Sequence, residues 1–436
     1  MATAFLRVAV IGAGAAGLCA ARHVLSRPDR FAPPVVFELA GNVGGTWCYQ
    51  ERVGPEVRSS MYKNLRTNLP KEVMMFPDFP FDQELNSFLT HQEVQRYLED
   101  YCRHYNIFPH ISFHRTVEEV IPVVVTTDSD KEMTLTTWEV TARDGSGCRT
   151  TDTFDAVFVC SGHYSEPNIP TLPGIENFKG QVLHSHAYRS AEPFSSRSVV
   201  VLGAMASGID ISLELVKVGA QVTLSHRGRP LSTCLPPEIR QSSPPAAVED
   251  DGRIRFQDGS VHSVDVMLFC TGYKFSFPFL HSAQLGMEID DQLVAPLYRF
   301  MMLPTFPSLF FVGLCKLICP FPNFHCQVQF ALAVLSGSVS LPSRAQMAAE
   351  ARHGLQRRVD GGVARHHLLV LGADQWEYLA TLANDAGFSP PPPVVRSLYE
   401  EVWRQRRLHP DNYRKHNYRL LSDTQWQLLD TASSPM

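Results

Sequence analysis

A strand, a glycine-rich turn and a helix occur in succession twice in this chain, and that repeat limits the folds open to it more than any other feature. Leu6 to Ile11 is an apolar run that ends in Gly12-Ala13-Gly14-Ala15-Ala16-Gly17 and passes into a helical stretch reaching about Ser26. A further apolar run covers Val35 to Leu39. Short apolar runs bounded by turn residues read as buried strands, so the segment reads as one βαβ unit. Its glycines have separate tasks: Gly12 permits the sharp bend, Gly14 lets backbone approach a pyrophosphate, and Gly17 lets helix pack closely on strand. Amide groups at the helix start, around Ala16, then face the phosphates. The pattern returns as Val199 to Leu202, the turn Gly203-Ala204-Met205-Ala206-Ser207-Gly208, a helix through about Val218 and the strand Gln221 to Ser225. Two such units predict two bound nucleotides.

The units differ where a ligand would be identified. Glu38 ends the second strand of the first unit, where a carboxylate can accept from both hydroxyls of an unphosphorylated ribose. That fits FAD or NAD and excludes NADP. In the second unit Ser225-His226-Arg227-Gly228-Arg229 stands at the equivalent place, and Arg227, with Arg229 nearby, suits a 2′-phosphate. The second nucleotide is therefore expected to be NADP(H). Met205 replaces the middle glycine and crowds that turn, while the Ser207 hydroxyl compensates in part. Gly44-Gly45-Thr46-Trp47 lies just beyond Glu38, and its paired glycines would let backbone lie against a flat or phosphorylated ligand. Trp47 is either a core residue or the wall of a flavin site.

Val157 to Gly162 and Val266 to Tyr273 are short apolar strands ending in turns, and they read as crossovers. The expected fold is α/β with two dinucleotide-binding (Rossmann-like) domains, the NADP domain inserted into a discontinuous FAD domain. Residues 1–165 form the first part of the FAD domain and 166–278 the NADP domain. Residues 279–436 form the second part, in which about 280–335 close the first sheet. Beyond Arg344 the chain turns helical and charged, and the proline run at 390–393 reads as a rigid turn or linker.

At 436 residues the chain has ample apolar surface for about two or three domains. A net charge of −5, with Lys and Arg scattered, marks no surface for nucleic acid or an anionic membrane, and small molecules are the expected partners. The apolar run after Arg7 resembles a signal segment in length, but its glycine spacing is better explained by a cofactor strand. Leu309 to Pro320 is interrupted by Lys316 and is shorter than the ~20 residues a membrane span needs. Ten cysteines without a CxxC pair suit a reducing, cytoplasmic setting and argue against a disulphide reductase. His184 with His186, or Cys315 with Cys319, could be read as metal ligands, but no second pair lies at zinc-site spacing, and no metal is expected.

Together these segments resemble the flavin-containing monooxygenases of the class B flavoprotein type. The family's Phe-x-Gly-x-x-x-His-x-x-x-Tyr/Phe fingerprint appears as Phe178, Gly180, His184 and Tyr188, between the two nucleotide motifs. Thr67-Asn68-Leu69-Pro70-Lys71-Glu72 and Asp78-Phe79-Pro80-Phe81 look like two further family stretches, and Phe269 to Tyr273 resembles the linker motif, with Cys270 in place of alanine. The resemblance covers roughly residues 5 to 335, with no family motif recognised beyond. It implies an FAD-containing, NADPH-dependent monooxygenase of the N,N-dimethylaniline monooxygenase kind. NADPH reduces the flavin, O₂ adds to give a C4a-hydroperoxide, and the distal oxygen passes to nucleophilic sulphur or nitrogen. The cofactor carries the hard chemistry while the protein excludes water, so no dedicated general base is needed.

By the same resemblance Asn68 lies at the flavin's reactive edge and is the candidate catalytic residue. Gly12, Gly14, Ala16, Gly17, Glu38, Gly45, Thr46, Trp47, Thr67, Leu69 and Val117 match FAD-side contacts. Ser207, Gly208, Ile209, Asp210 and Arg227 match the NADP side, with His184 and Tyr188 organising the domain linkage. The chain looks more like the compact soluble members, including those acting on thioether and thiol sulphur, which favours S-oxygenation and leaves a homodimer open. A Baeyer–Villiger enzyme ranks lower, because its fingerprint ends in Trp where this chain has Tyr188. An H₂O₂-releasing NADPH oxidase, or a non-catalytic nucleotide-binding redox sensor, is the competing reading, with Met205 and Cys270 in its favour.

Overall fold

The computed structural model describes residues 5–429 apart from 55–56, 58 and 127–133. Two parallel five-stranded sheets organise the chain. The first runs Leu309–Phe311, Ala156–Val159, Val8–Ile11, Val35–Phe37, Ile111–Ser112. The second runs Ile239–Ser242, Gln221–Ser225, Ser198–Leu202, Val266–Phe269, Gln181–His184. The central strands are buried along their whole length, as strands covered on both faces must be. The strand Leu309–Phe311 pairs with Ala156–Val159 although the second sheet lies between them in sequence, so the second unit is an insertion in the first. Two short crossing segments, Glu166–Pro167 and Tyr273–Lys274, pair antiparallel where the chain leaves and returns.

An antiparallel meander of Arg115–Thr126, Thr134–Asp144 and Arg149–Phe154 covers one face of the first sheet. It packs Trp138, Val140 and Phe154 on Ala9, Ile11, Val157 and Val159, and Trp138 Nε1 donates to Ser308 Oγ at 2.9 Å. The other face carries the helix Ala15–Leu25, packed against His91–His104 and Pro320–Leu335. Helices Gln375–Ala386 and Pro393–Leu408 bury Leu379, Leu382, Leu398 and Val402 in this same core. The C-terminal region is thus part of the first domain's interior. The proline run read as a rigid turn or linker forms the connection between these two helices as far as Pro392, which caps the second, and Pro393 takes the first helical position, where a missing N–H removes no bond.

Candidate active site

The two glycine turns repeat one geometry. Gly12 has φ +104° and Gly203 φ +108°. A Cβ on Gly12 would lie 2.7 Å from the Cys160 carbonyl oxygen, and one on Gly203 would lie 2.5 Å from that of Cys270. A Cβ on Gly17 or on Gly208 would lie 1.8 Å from the carbonyl oxygen of the turn's own first glycine. The middle positions also share a conformation, φ −75° and ψ −176° at Gly14 against φ −80° and ψ −169° at Met205. The contour differs: Gly14 faces Gly45, whose Cα would lie 3.5 Å from an added Cβ, whereas Met205 projects its side chain into the open.

Helices Ala15–Leu25 and Ala206–Lys217 start with no side-chain cap and no acid in the first turn. By contrast, Thr90 and Ser343 close their helices with full capping boxes. The helices that follow the glycine turns therefore present free N–H groups and the positive end of their dipoles, which is what a pyrophosphate requires. The residues present fit two dinucleotides.

The strand Val35–Phe37 stops short of the expected Leu39. Glu38 turns inward, and its carboxylate accepts from the N–H of Ala13 and of Ala40, each at 2.7 Å. Burial raises its carboxyl above the ordinary carboxylate range, against the opposing effect of these backbone bonds. Val117, half-buried in the meander, packs against the same core as Val35. Gly44 donates to the Ala13 carbonyl at 3.0 Å, so Gly45, Thr46 and Trp47 are docked on the first turn. Thr46 Oγ1 lies 3.3 Å from Ser60 Oγ, and Trp47 packs half-buried at the core's edge. In the second unit Arg227 is exposed immediately after the strand Gln221–Ser225, and among the described residues it enters no salt bridge. Ser207 is exposed and Gly208 buried in the first turn of the helix, with Ile209 half-buried beside them.

Asn68 is presented by a tightly pinned segment. Thr67 is bonded twice to the Leu89 backbone, its N–H donating to the Leu89 carbonyl at 2.8 Å while its side-chain Oγ1 accepts from the Leu89 N–H at 3.0 Å. Lys71 donates to the carbonyls of Asp82, Gln83 and Leu85, and Glu72 accepts from Ser87 Oγ at 3.0 Å. Leu69 is buried. Between these fixed neighbours Asn68 is half-buried, and its amide makes no hydrogen bond among the described residues. A polar group held rigidly with its bonding capacity unspent is suited to a ligand.

The fingerprint residues make close contacts within the inserted domain. Phe178 lies over Gly180, where a Cβ would meet its ring at 2.6 Å and the Asp265 carbonyl oxygen at 2.4 Å. His184 accepts the His186 N–H at Nδ1 (3.0 Å), so Nε2 carries the proton; that nitrogen is buried and makes no hydrogen bond among the described residues, while the nearby Gly272 carbonyl opposes the fall in the ring's pKa. Burial lowers its pKa to about 4, which leaves it neutral. Tyr188 Oη donates to Glu214 Oε2 at 2.8 Å. Asp210, expected on the coenzyme side, has its carboxylate engaged by Arg414. Sequence reasoning passed over Arg414, whose role arises only from contacts between segments remote in the chain.

Among the described residues Cys19, His23 and His325 bring three candidate ligand atoms within 4.8 Å of one another. The surrounding groups resolve the triangle differently. Arg22 Nη1 lies 3.2 Å from His23 Nδ1, which makes that nitrogen the acceptor and Nε2 the donor to His325 Nδ1 at 3.1 Å. Gln329 Nε2 lies 2.8 Å from His325 Nε2, and with that nitrogen protonated the Gln329 amide must turn its oxygen to it to accept. A cation placed here would also face the Arg22 guanidinium, which sits 2.7 Å from Asp78.

The family model described as flavin-binding monooxygenase-like matches residues 6–232 and 246–430. The match extends well past residue 335, so the C-terminal region, in which no motif was recognised, belongs to the family pattern too. The flavin-containing monooxygenase FMO GS-OX-like 4 of Arabidopsis thaliana is 36% identical over 432 residues, covering 93% of each chain. The structure of the S-allyl-L-cysteine S-oxygenase from Allium sativum superposes with a TM-score of 0.84 at 34% identity, over 95% of this chain and 96% of that one. Tmm from Pelagibacter sp. strain HTCC7211 follows with a TM-score of 0.80 at 29% identity, over 94% and 93%. The chain belongs to the flavin-binding monooxygenase-like family, whose members are FAD- and NADPH-dependent flavoproteins.

Proposed function

We propose that this chain is an NADPH- and O₂-dependent S-oxygenase of small thioethers or thiols. One observation carries the choice of sulphur: the S-allyl-L-cysteine S-oxygenase from Allium sativum matches 95% of this chain at 34% identity with a TM-score of 0.84. A tertiary amine is the runner-up substrate class.

FAD, when bound, supplies the redox chemistry: it takes a hydride from NADPH and carries one oxygen atom from O₂ to the nucleophile. The chain's own residues bind, orient and exclude. In this reading the Gly12 to Gly17 turn and the start of its helix hold the FAD pyrophosphate, and Glu38 accepts the ribose hydroxyls. Gly203 to Gly208 and Arg227 hold NADP(H) by its pyrophosphate and 2′-phosphate. The Asn68 amide, fixed by Thr67 and Leu69, hydrogen-bonds at the reacting edge, and among the described residues neither its donor nor its acceptor is engaged. The neutral His184 and the buried Tyr188 shape the linkage and move no proton. No side chain is assigned as general base, since a thioether sulphur attacks without losing a proton.

The reading is tested by supplying the purified holoenzyme with NADPH, O₂ and either thioanisole or a tertiary amine, and counting products. Close to one sulphoxide per NADPH is expected. NADPH consumption that ends wholly in H₂O₂, unaffected by either nucleophile, would overturn it in favour of an oxidase.

A further inference from the structure

Arg414 joins three segments that are distant in the chain. Its Nη1 and Nη2 donate to Oδ1 and Oδ2 of Asp210 at 3.1 and 2.6 Å, and its Nε donates to the Thr67 carbonyl at 3.0 Å. The guanidinium lies over the Tyr413 ring, 4.7 Å from its centre. The Arg414 and Asp210 side chains retain 20% and 12% of their full exposure, so the pair is largely withdrawn from water. Asp210 stands early in the helix Ala206–Lys217, which begins at the second glycine turn, and Thr67 immediately precedes Asn68. Glu214, one helical turn beyond Asp210, takes the Tyr188 hydroxyl, and the Tyr188 ring packs 5.4 Å from that of Tyr62. One face of the coenzyme helix is therefore tied at i through Arg414 to the segment that carries Asn68, and at i+4 through Tyr188 to Tyr62.

Burying two charges costs more in desolvation than burying apolar residues of the same volume, and apolar packing would hold the helix as firmly. What an apolar pair lacks is direction. The planar fork of a guanidinium fixes angle as well as distance, and here each of its edges is used. A shift of the helix strains the two Asp210 bonds. A rotation of the peptide before Asn68 swings the Thr67 carbonyl away from Nε.

We propose that Arg414 is a positioning residue that sets the Asn68 backbone and the coenzyme-binding helix in one fixed relation, so that NADP(H) binding and the presentation of the Asn68 amide are coupled through its guanidinium. The proposal rests on Asn68 being the group at the flavin's edge.

Two variants of the holoenzyme test it. Arg414→Lys keeps the charge and one bond to Asp210 but has no fork to reach the Thr67 carbonyl as well. Arg414→Met keeps the bulk and drops the charge. The readouts are melting temperature, the NADP⁺ dissociation constant from flavin absorbance, H₂O₂ formed per NADPH, and amide hydrogen exchange over residues 65–69 with and without NADP⁺. For Arg414→Lys we expect bound FAD, a melting temperature within a few degrees of the parent and NADP⁺ binding weakened about tenfold, the scale of one charge-assisted bond. Exchange at 65–69 should be faster and no longer slowed by NADP⁺, and a larger share of NADPH should go to H₂O₂. NADP⁺ binding within twofold of the parent, with parental exchange, would overturn the proposal, as would a lowered melting temperature as the sole change in Arg414→Met. Asn68→Ala with Arg414 intact separates the two ideas: unchanged H₂O₂ release in that variant removes the role given to Asn68, while exchange and NADP⁺ affinity still report on Arg414.

Discussion

The carboxylate of Glu38 holds the N–H of Ala13 at 2.7 Å, so the residue at the end of the second strand also fixes the first peptide of the glycine turn. Turn geometry and the ribose recognition proposed for Glu38 thus depend on a single side chain. Glu38→Ala should lose at least one charge-assisted bond on each side, and FAD binding should weaken by about 10–100-fold at 1.5–3 kcal/mol for such a bond. Flavin retention after gel filtration checks it. Burial keeps this carboxyl above the ordinary range, so FAD affinity in the parent should begin to fall, on acidification, at a higher pH than an exposed glutamate would give.

Gly17 and Gly208 are equivalent positions with equal clearance, a Cβ in either falling 1.8 Å from a backbone oxygen. Substitution by alanine must displace the whole turn, at a cost of about 1–3 kcal/mol, and the damage should stay with one nucleotide. Gly17→Ala is expected to purify colourless. Gly208→Ala should remain yellow, with NADP⁺ binding lost. If both variants released FAD to the same degree, the assignment of one nucleotide to each turn would fail.

Arg227 stands exposed and, among the described residues, without a carboxylate partner where a 2′-phosphate is expected. Arg227→Ala should raise the NADPH KM by about 10–100-fold, from the loss of a charge-assisted contact of about 1.5–3 kcal/mol. The NADH KM should move by much less, since NADH has no phosphate there. Equal effects on the two coenzymes would remove the assignment.

The nucleotide-binding units were legible because their signals are local. The strand Gln221–Ser225 lies where the apolar run placed it, and the glycines of both turns lie where their spacing placed them. The error at Leu39 has a physical cause: Glu38 leaves the strand because its carboxylate is drawn to the Ala13 amide. The strand Arg149–Phe154 escaped notice because five of its six residues are exposed and carry no apolar alternation. Arg414 was invisible for a different reason. Its partners lie 204 and 347 residues away, and nothing in its own neighbourhood distinguishes it from the other arginines of the C-terminal region.

His184 supplies a pH test of the fingerprint's role. Burial lowers its pKa from 6.5 to about 4 in the folded protein, and the ring is only 5% exposed. With the folded value below the unfolded one, the unfolded chain takes up the proton first. The stability is therefore complete above pH ~6.5 and lost as pH falls through about 4. A shift of this size corresponds to a loss of about 2 kcal/mol by pH 5 from this residue alone. His163 and His325, lowered by burial to about 3 and about 4, act with the same sign, so the whole protein should become steeply less stable below neutrality. His184→Gln can still accept the His186 N–H and donate towards the Gly272 carbonyl, but it does not titrate. Its denaturation midpoint should therefore change less between pH 6.5 and 4 than the parent's. Parallel pH profiles for the two proteins would mean that His184 is protonated, or exposed, in the folded state, and that it does not serve as the neutral spacer between the second sheet and the crossover.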